Sequence, residues 1–199
     1  MTHSHAPAPA PGTHAGARHR GRLVVAVVLI GTFFVVELVT GLLIGSLALI
    51  SDAGHMAADV VTLSAALAAT VLAARPDRSG RRTFGNYRVE VFAALLAVLI
   101  MLGVATAVLI GGIRRLGQDV HIDTVPMLVV GVLGLVVNLI VLAMLHGGAA
   151  ESLNVKGAYL EVMADTIGSV GVVAAALLIG WTGYGVIDTV VALAVGAFI

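Results

Sequence analysis

The sequence contains no cysteine, which excludes a disulfide scaffold and any metal site built on thiolates. Charged residues are also scarce, at 11% of 199 residues, compared with about 25% in soluble domains. The net charge is zero, so the composition gives no indication of nucleic acid as a partner. With 59% hydrophobic residues and a mean hydropathy of +1.07, the chain is expected to be an integral membrane protein embedded in a lipid bilayer.

Six apolar segments reach or approach the length of about 20 residues that a helix needs to cross a bilayer. They are Leu23–Ile44, Leu47–Ala73, Val89–Ile113, Val125–Leu145, Val155–Ile179 and Val186–Ile199. We therefore predict an all-α membrane protein, with a six-helix transmembrane transport domain over residues 23–199. Residues 1–22 are rich in Pro, Ala and Gly and carry four histidines, and we predict a disordered cytoplasmic tail there.

The basic residues predict which side of the membrane each loop faces. Nine of the eleven Lys and Arg residues lie before the first segment, between the second and third, or between the fourth and fifth. Only Arg114 and Arg115 lie on the opposite side. Because loops rich in Lys and Arg stay in the cytoplasm, both termini are predicted to be cytoplasmic.

Two of the apolar segments each carry a pair of ionisable residues four positions apart, and such residues are costly in a bilayer and usually mark a functional site. His55 and Asp59 lie in the second segment, and Glu161 and Asp165 lie in the fifth. Each pair is separated by four residues, so its two side chains leave one face of a helix, one turn apart. Two antiparallel helices with such pairs could form one four-ligand cation site.

The depth of each residue in the membrane tests this idea. With a rise of about 1.5 Å per residue and a hydrocarbon core about 30 Å thick, Asp59 comes level with Glu161. His55 likewise comes level with Asp165, and all four lie near the midplane, where transporter sites usually lie. One imidazole and three carboxylates suit a divalent first-row cation such as zinc or cobalt, with cadmium or manganese as further candidates.

Three other buried polar residues are candidates for groups that support the ligands or carry protons. Asp52 precedes His55 by three residues, and its alternative role is to bond to backbone where the helix starts. Glu37 in the first segment is a candidate proton site, or else a buried neutral acid with no part in transport. Asn138 in the fourth segment is a candidate for a hydrogen bond between helices. Asp188, at the start of the last segment, is expected to be an acid at a helix N-terminus.

Three stretches together resemble the cation diffusion facilitator family, and most closely its bacterial zinc–cadmium–cobalt efflux branch. They are SLALISDAGHMAADV (46–60), TFGNYRVEVFAAL (83–95) and ESLNVKGAYLEVMADTIGSVGVV (151–173). The resemblance implies a six-helix, proton-coupled exporter whose transport site uses His55, Asp59, Glu161 and Asp165. It also implies a homodimer in the cell membrane, here the bacterial inner membrane, without a prosthetic group.

The sequence departs from the family pattern at several points. Zinc-selective members commonly have His at the position of Glu161, so the range of transported metals is in question. The loop Arg75–Arg82 has Asp77 but no His, which puts in doubt a second metal site found in some relatives. The family's C-terminal cytosolic domain is expected to be absent, as is the His-rich loop before the fifth helix, where His146 remains.

The sequence thus predicts a secondary transporter, and not an enzyme, that exports zinc, cobalt or cadmium in exchange for protons. One alternative is an intramembrane metal-dependent enzyme that uses the same ligands with one open position. It is weakened by the lack of a separate nucleophile or general base nearby. The other alternative is a transport-inactive membrane interaction protein, in which replacement of the ligands would leave function intact.

Overall fold

The structure, a computed structural model, describes residues 15–73, 85–115, 118, 120–150 and 153–198. Within these residues the regular structure is entirely helical. The six helices are α1 (Ala15–Ile44), α2 (Leu47–Ala73), α3 (Gly85–Arg115), α4 (Thr124–Ala149), α5 (Leu153–Thr182) and α6 (Val186–Phe198). Each predicted apolar segment forms one helix, so the all-α class is confirmed.

The first helix starts earlier than the sequence predicts. It begins at Ala15 and not at Leu23, so the second half of the proposed tail includes the start of α1. Residues 1–14 lie outside the described residues, as do residues 74–84, the whole loop between α2 and α3. The disordered tail therefore stays a prediction for residues 1–14.

Four helices of the described part are long and apolar enough to cross a membrane, over Leu23–Ile44, Val91–Arg115, Thr124–Ala149 and Val155–Thr182. Val186–Ala197 in α6 is a shorter apolar segment, and α2 carries acidic residues and a histidine inside its apolar run. Large hydrophobic side chains face outward from the bundle, for example Leu43, Phe92 and Val98. These features establish a multi-pass integral membrane protein, while the predicted count of six spans stays a prediction.

Helix α2 lies in the middle of the bundle and contacts α1, α3, α5 and α6, while α4 packs mainly against α5 and α1. Glycine allows the closest approaches. A Cβ atom at Gly54 would overlap the side chain of Val104 on α3, and one at Gly134 would lie 2.7 Å from the Phe33 ring on α1.

The central pair α2 and α5 is antiparallel. Asp52 on α2 lies against Gly168 on α5, and His55 further along α2 lies against Asp165, earlier on α5. The polar residues of both helices therefore face each other inside the bundle.

Candidate metal site

The structure brings His55, Asp59 and Asp165 together between α2 and α5. One ligand atom from each residue can be chosen so that the three atoms all lie within 4.8 Å of one another. His55 Nε2 lies 3.2 Å from Asp165 Oδ1 and 3.5 Å from Asp59 Oδ2. The four-residue spacing puts the first two ligands on one face of α2, and the antiparallel packing supplies the third from α5.

These ligand atoms are buried, and their polar contacts are with one another. Asp59 and Asp165 are only 5% and 1% exposed, respectively. Apart from these contacts within the cluster, no hydrogen bond in the described residues reaches either ring nitrogen of His55, Asp59 Oδ2, or either carboxylate oxygen of Asp165. Buried polar groups in native proteins are nearly always paired, because an unpaired one loses its hydration without compensation. A cation bound among these atoms would supply the missing partner.

The donor set fits a borderline divalent metal. Neutral imidazole and carboxylate are common zinc ligands, and three such protein ligands leave one position of a tetrahedral site open. Cobalt accepts the same donors, whereas copper(I) prefers sulfur.

Glu161, the fourth predicted ligand, does not join this cluster. It lies one turn before Asp165 on α5 and is only partly buried. The structure therefore gathers three of the four predicted ligands, with the fourth beside them.

A second pair of acids, Glu37 on α1 and Asp52 on α2, lies next to the cluster. Their carboxyl groups face each other, and both residues are almost completely buried, at 1% and 2% exposure. One oxygen of each, Glu37 Oε2 and Asp52 Oδ1, has no hydrogen-bond partner in the described part of the chain. Both residues were predicted to support the site or carry protons, and both lie where such a role is feasible.

Asp52 and two residues of the cluster line a cavity between α2, α5 and α6. The cavity has a volume of about 310 Å³. Its polar wall consists of Asp52, His55 and Asp165. The remaining wall is formed by small or apolar residues, namely Ala164, Ile167, Gly168, Gly171, Val191, Ala194 and Val195. A metal ion or water in this cavity would therefore meet the candidate ligands directly.

Asn138 takes the structural role that the sequence allowed for it. Its Nδ2 donates a hydrogen bond of 3.1 Å to Ser169 Oγ, which joins α4 to α5. Ser169 lies one turn beyond Asp165 on the same face of α5, so this bond fixes α4 against the part of α5 that follows the ligand.

Sequence reasoning missed Gly168. A Cβ atom at this position would lie 2.8 Å from Asp52 Oδ1, so only glycine leaves room for that carboxylate. The available signal was its spacing: Gly168 follows Asp165 by three residues and so shares its helical face.

Comparison with known proteins decides the family. The sequence-family model of the cation efflux transmembrane domain matches residues 23–199. The chain belongs to the cation efflux family, that is, the cation diffusion facilitators. The resemblance seen in the three sequence stretches is thereby confirmed.

Several bacterial members of the cation efflux family are similar to this chain. It is 47% identical over 186 residues to the metal cation efflux system protein CzcD of Cupriavidus metallidurans, covering 94% of this chain and 58% of CzcD. It is 36% identical over 200 residues to the zinc transporter ZitB of Pectobacterium atrosepticum, covering 100% of this chain and 60% of ZitB.

A third relative is the cadmium, cobalt and zinc/H(+)-K(+) antiporter of Bacillus velezensis. It is 36% identical over 187 residues, which cover 92% of this chain and 57% of the relative. The chain thus spans somewhat less than two thirds of the length of these curated relatives.

Proposed function

We propose that this protein exports a divalent metal ion, zinc or else cobalt or cadmium, from the cytoplasm in exchange for protons. The observation that carries the proposal is the buried cluster of His55, Asp59 and Asp165, whose ligand atoms contact one another and have no further hydrogen-bond partner in the described part of the chain. Two similar proteins support it, namely a zinc transporter and a cadmium, cobalt and zinc/H(+)-K(+) antiporter. The protein would then be a secondary transporter and not an enzyme.

Proton exchange follows from the chemistry of the ligands. A metal ion binds neutral imidazole and ionised carboxylate, so protons and metal compete for the same lone pairs. If the cluster opens alternately to each side of the membrane, metal released outside is replaced by protons that return inward. The metal is substrate in this scheme and leaves with each cycle.

Glu161 is proposed as the fourth ligand in the metal-bound state. It is one turn from Asp165 on the same face of α5, and its long side chain is only partly buried. A rotamer change would let its carboxylate reach toward the cluster.

Glu37 and Asp52 are proposed as the proton-carrying pair. Two facing carboxyl groups in a buried position can hold one proton between them, and Asp52 also lines the cavity that reaches His55. A proton that leaves the pair could thus reach the cluster without crossing apolar side chains.

Residues 23–199 would form the transport domain, with both termini in the cytoplasm. The nine-to-two distribution of basic residues supports this orientation. We propose the bacterial inner membrane as its location and a homodimer as its assembly, as the family resemblance implies.

Transport by ligand variants in proteoliposomes tests the proposal. Asp59→Ala and Asp165→Ala should each abolish zinc uptake and zinc binding while the protein stays folded and inserted. Asp123→Ala is the matched control, because Asp123 is exposed at the start of α4 and its side chain makes no capping hydrogen bond. Transport close to wild type by either ligand variant would refute the assignment.

A further inference from the structure

Asp188, at the start of α6, caps the N-terminus of a different helix. Its carboxylate is completely buried and accepts hydrogen bonds from the backbone amides of Leu47, at 2.6 Å, and Ala48, at 3.2 Å. It also accepts a 2.6 Å hydrogen bond from Ser46 Oγ. The first amides of a helix have no partner within that helix. In α2 the first two of these amides have the Asp188 carboxylate of α6 as their hydrogen-bond acceptor.

The same carboxylate meets Arg115 at the end of α3. Arg115 Nη1 lies 3.3 Å from Asp188 Oδ2, and Nη2 donates a 2.6 Å hydrogen bond to the carbonyl oxygen of Gly45. Gly45 follows the last residue of α1 with a positive φ of 69°. The negative end of α1 therefore faces a cation and the positive end of α2 faces an anion, the favourable arrangement at each terminus. We call Gly45, Ser46, Arg115 and Asp188 the Asp188 junction.

The contact between α6 and α2 continues from the junction toward the cavity. Ser51 Oγ donates a hydrogen bond of 3.3 Å to the carbonyl oxygen of Ala192, one turn after Asp188. Val195, a further turn along α6, lines the cavity together with His55. His55 lies eight residues after Leu47, which is about 12 Å along a helix with a rise of 1.5 Å per residue.

We propose that Asp188 is a positioning residue for the metal site: the Asp188 junction sets the depth and rotation of α2, and thereby the place of His55 and Asp59 opposite Asp165. This inference rests on the proposed function of the cluster. A slip of α2 by one residue would move its ligands by about 1.5 Å along the axis and turn them by about 100°. Such a change would break the 3.2 Å contact between His55 Nε2 and Asp165 Oδ1.

The cost of burying these charges argues for a role in geometry. A buried ion pair adds little net stability, because desolvation offsets most of the attraction, and fixing one arrangement is its better-supported use. Asp188 accepts its hydrogen bonds at the N-terminus of α2. It therefore fixes the position of α2, the helix that carries two of the ligands, relative to α6.

The test uses Asp188→Asn, which keeps the shape of the side chain and removes its charge. Arg115→Gln is the second variant, and it is examined alone if Asp188→Asn does not fold. Asp123→Asn and Arg114→Gln are matched controls: the first is an exposed acid at another helix start, and the second is an exposed neighbour of Arg115. All four are made both in the natural sequence and together with Ser51→Cys.

Two measurements are made on the full chain in detergent. The first is the rate at which N-ethylmaleimide labels the cysteine of Ser51→Cys, which reports the packing of α2 on α6, because the chain has no other cysteine. The second is the equilibrium affinity for Zn²⁺, measured without Ser51→Cys by competition with a chelating dye. In the junction variants we expect labelling at least tenfold faster and zinc binding at least tenfold weaker, with both controls within twofold of wild type.

The proposal requires both changes together. Labelling that stays slow, or zinc affinity that stays within twofold of wild type, overturns the positioning role. A wild-type protein that binds no zinc refutes the proposed function instead, and the labelling rates would still show whether the junction holds α2 against α6.

Discussion

The substitution Gly168→Ala tests whether the place of Asp52 matters for transport. The added methyl group would lie 2.8 Å from Asp52 Oδ1. Unstrained contacts between carbon and oxygen are about 3.3–3.6 Å long, so one of the two atoms must move by roughly 0.5–0.8 Å. Asp52 is only 2% exposed and faces Glu37, and the free space beside its carboxylate is the cavity that it lines, so the methyl group would push the carboxylate out of its place beside Glu37.

The expected size of the effect follows from the packing. Overfilling a close-packed interior costs about 1–3 kcal/mol. If all of that cost fell on the transport step, at about 1.4 kcal/mol for each factor of ten, the rate would fall by about 5-fold to 140-fold. If the cost fell on folding, the yield of folded protein would fall and the rate per folded molecule would not.

Gly171→Ala is the matched control. Gly171 lines the same cavity one turn further along α5, and its Cβ would lie 3.8 Å from Val191 and 3.9 Å from Val195, which are ordinary contacts. Both substitutions remove one methyl volume from the cavity, but only Gly168→Ala touches the acid. Initial rates of zinc uptake into proteoliposomes, normalised to folded protein from size-exclusion chromatography, should be low for Gly168→Ala and near wild type for Gly171→Ala. Equal rates in the two variants would refute the reasoning.

Two further predictions concern selectivity and topology. Glu161→His should narrow transport toward zinc relative to cobalt, cadmium and manganese, because imidazole is softer than carboxylate, and should alter the pH profile, since fewer acids then compete for protons. Initial rates for the four metals between pH 6 and pH 8 measure both effects, and an unchanged metal ranking with an unchanged profile would remove Glu161 from the ligand set. A cysteine in Ser79→Cys, outside the described residues, should be labelled only from the cytoplasm, and one in Gln118→Cys only from outside. Labelling of intact cells in the reverse pattern would overturn the proposed direction of export.

The helices were predictable because hydropathy alone defines them in a membrane protein. Leu47–Ala73 was predicted with the bounds that the structure gives it. The early start of α1 at Ala15 was missed because the stretch before Leu23 has no apolar run. Alanine and arginine nevertheless favour helix strongly and carry α1 beyond its apolar segment.

The pairing of His55 with Asp165 across the two helices was also predictable, but the lateral position of Glu161 was not. Counting residues along antiparallel helices placed His55 level with Asp165, and these two side chains lie 3.2 Å apart in the structure. The same count placed Glu161 level with Asp59, yet Glu161 stays outside the cluster. Depth fixes only the position along the membrane normal, whereas the distance across the helix pair depends on rotation, tilt and rotamer.

The contacts of Asp188 were also not predictable from the sequence. As an acid in the first turn of α6 it was expected to interact with its own helix. Its hydrogen bonds reach α2 instead, through residues about 140 positions earlier in the chain. Such a contact depends on which helix ends meet, and that information is absent from local sequence patterns.

The Asp188 junction and the cluster around His55 are both buried and polar, but they differ in how far their hydrogen bonds are satisfied. At the Asp188 junction both carboxylate oxygens have donors, and the cation beside them also holds a carbonyl group. Apart from Asn138 and Thr189, the buried side-chain atoms that lack hydrogen-bond partners in the described residues belong to ionisable residues of α1, α2 and α5. The Asp188 junction shows that this helix bundle can supply hydrogen-bond donors to a fully buried carboxylate. This contrast supports the proposed exchange of a metal ion for protons at the atoms around His55. Ligands held firmly by protein partners would have to break those bonds in every cycle, whereas ligands without such partners can bind a metal ion and then release it to protons.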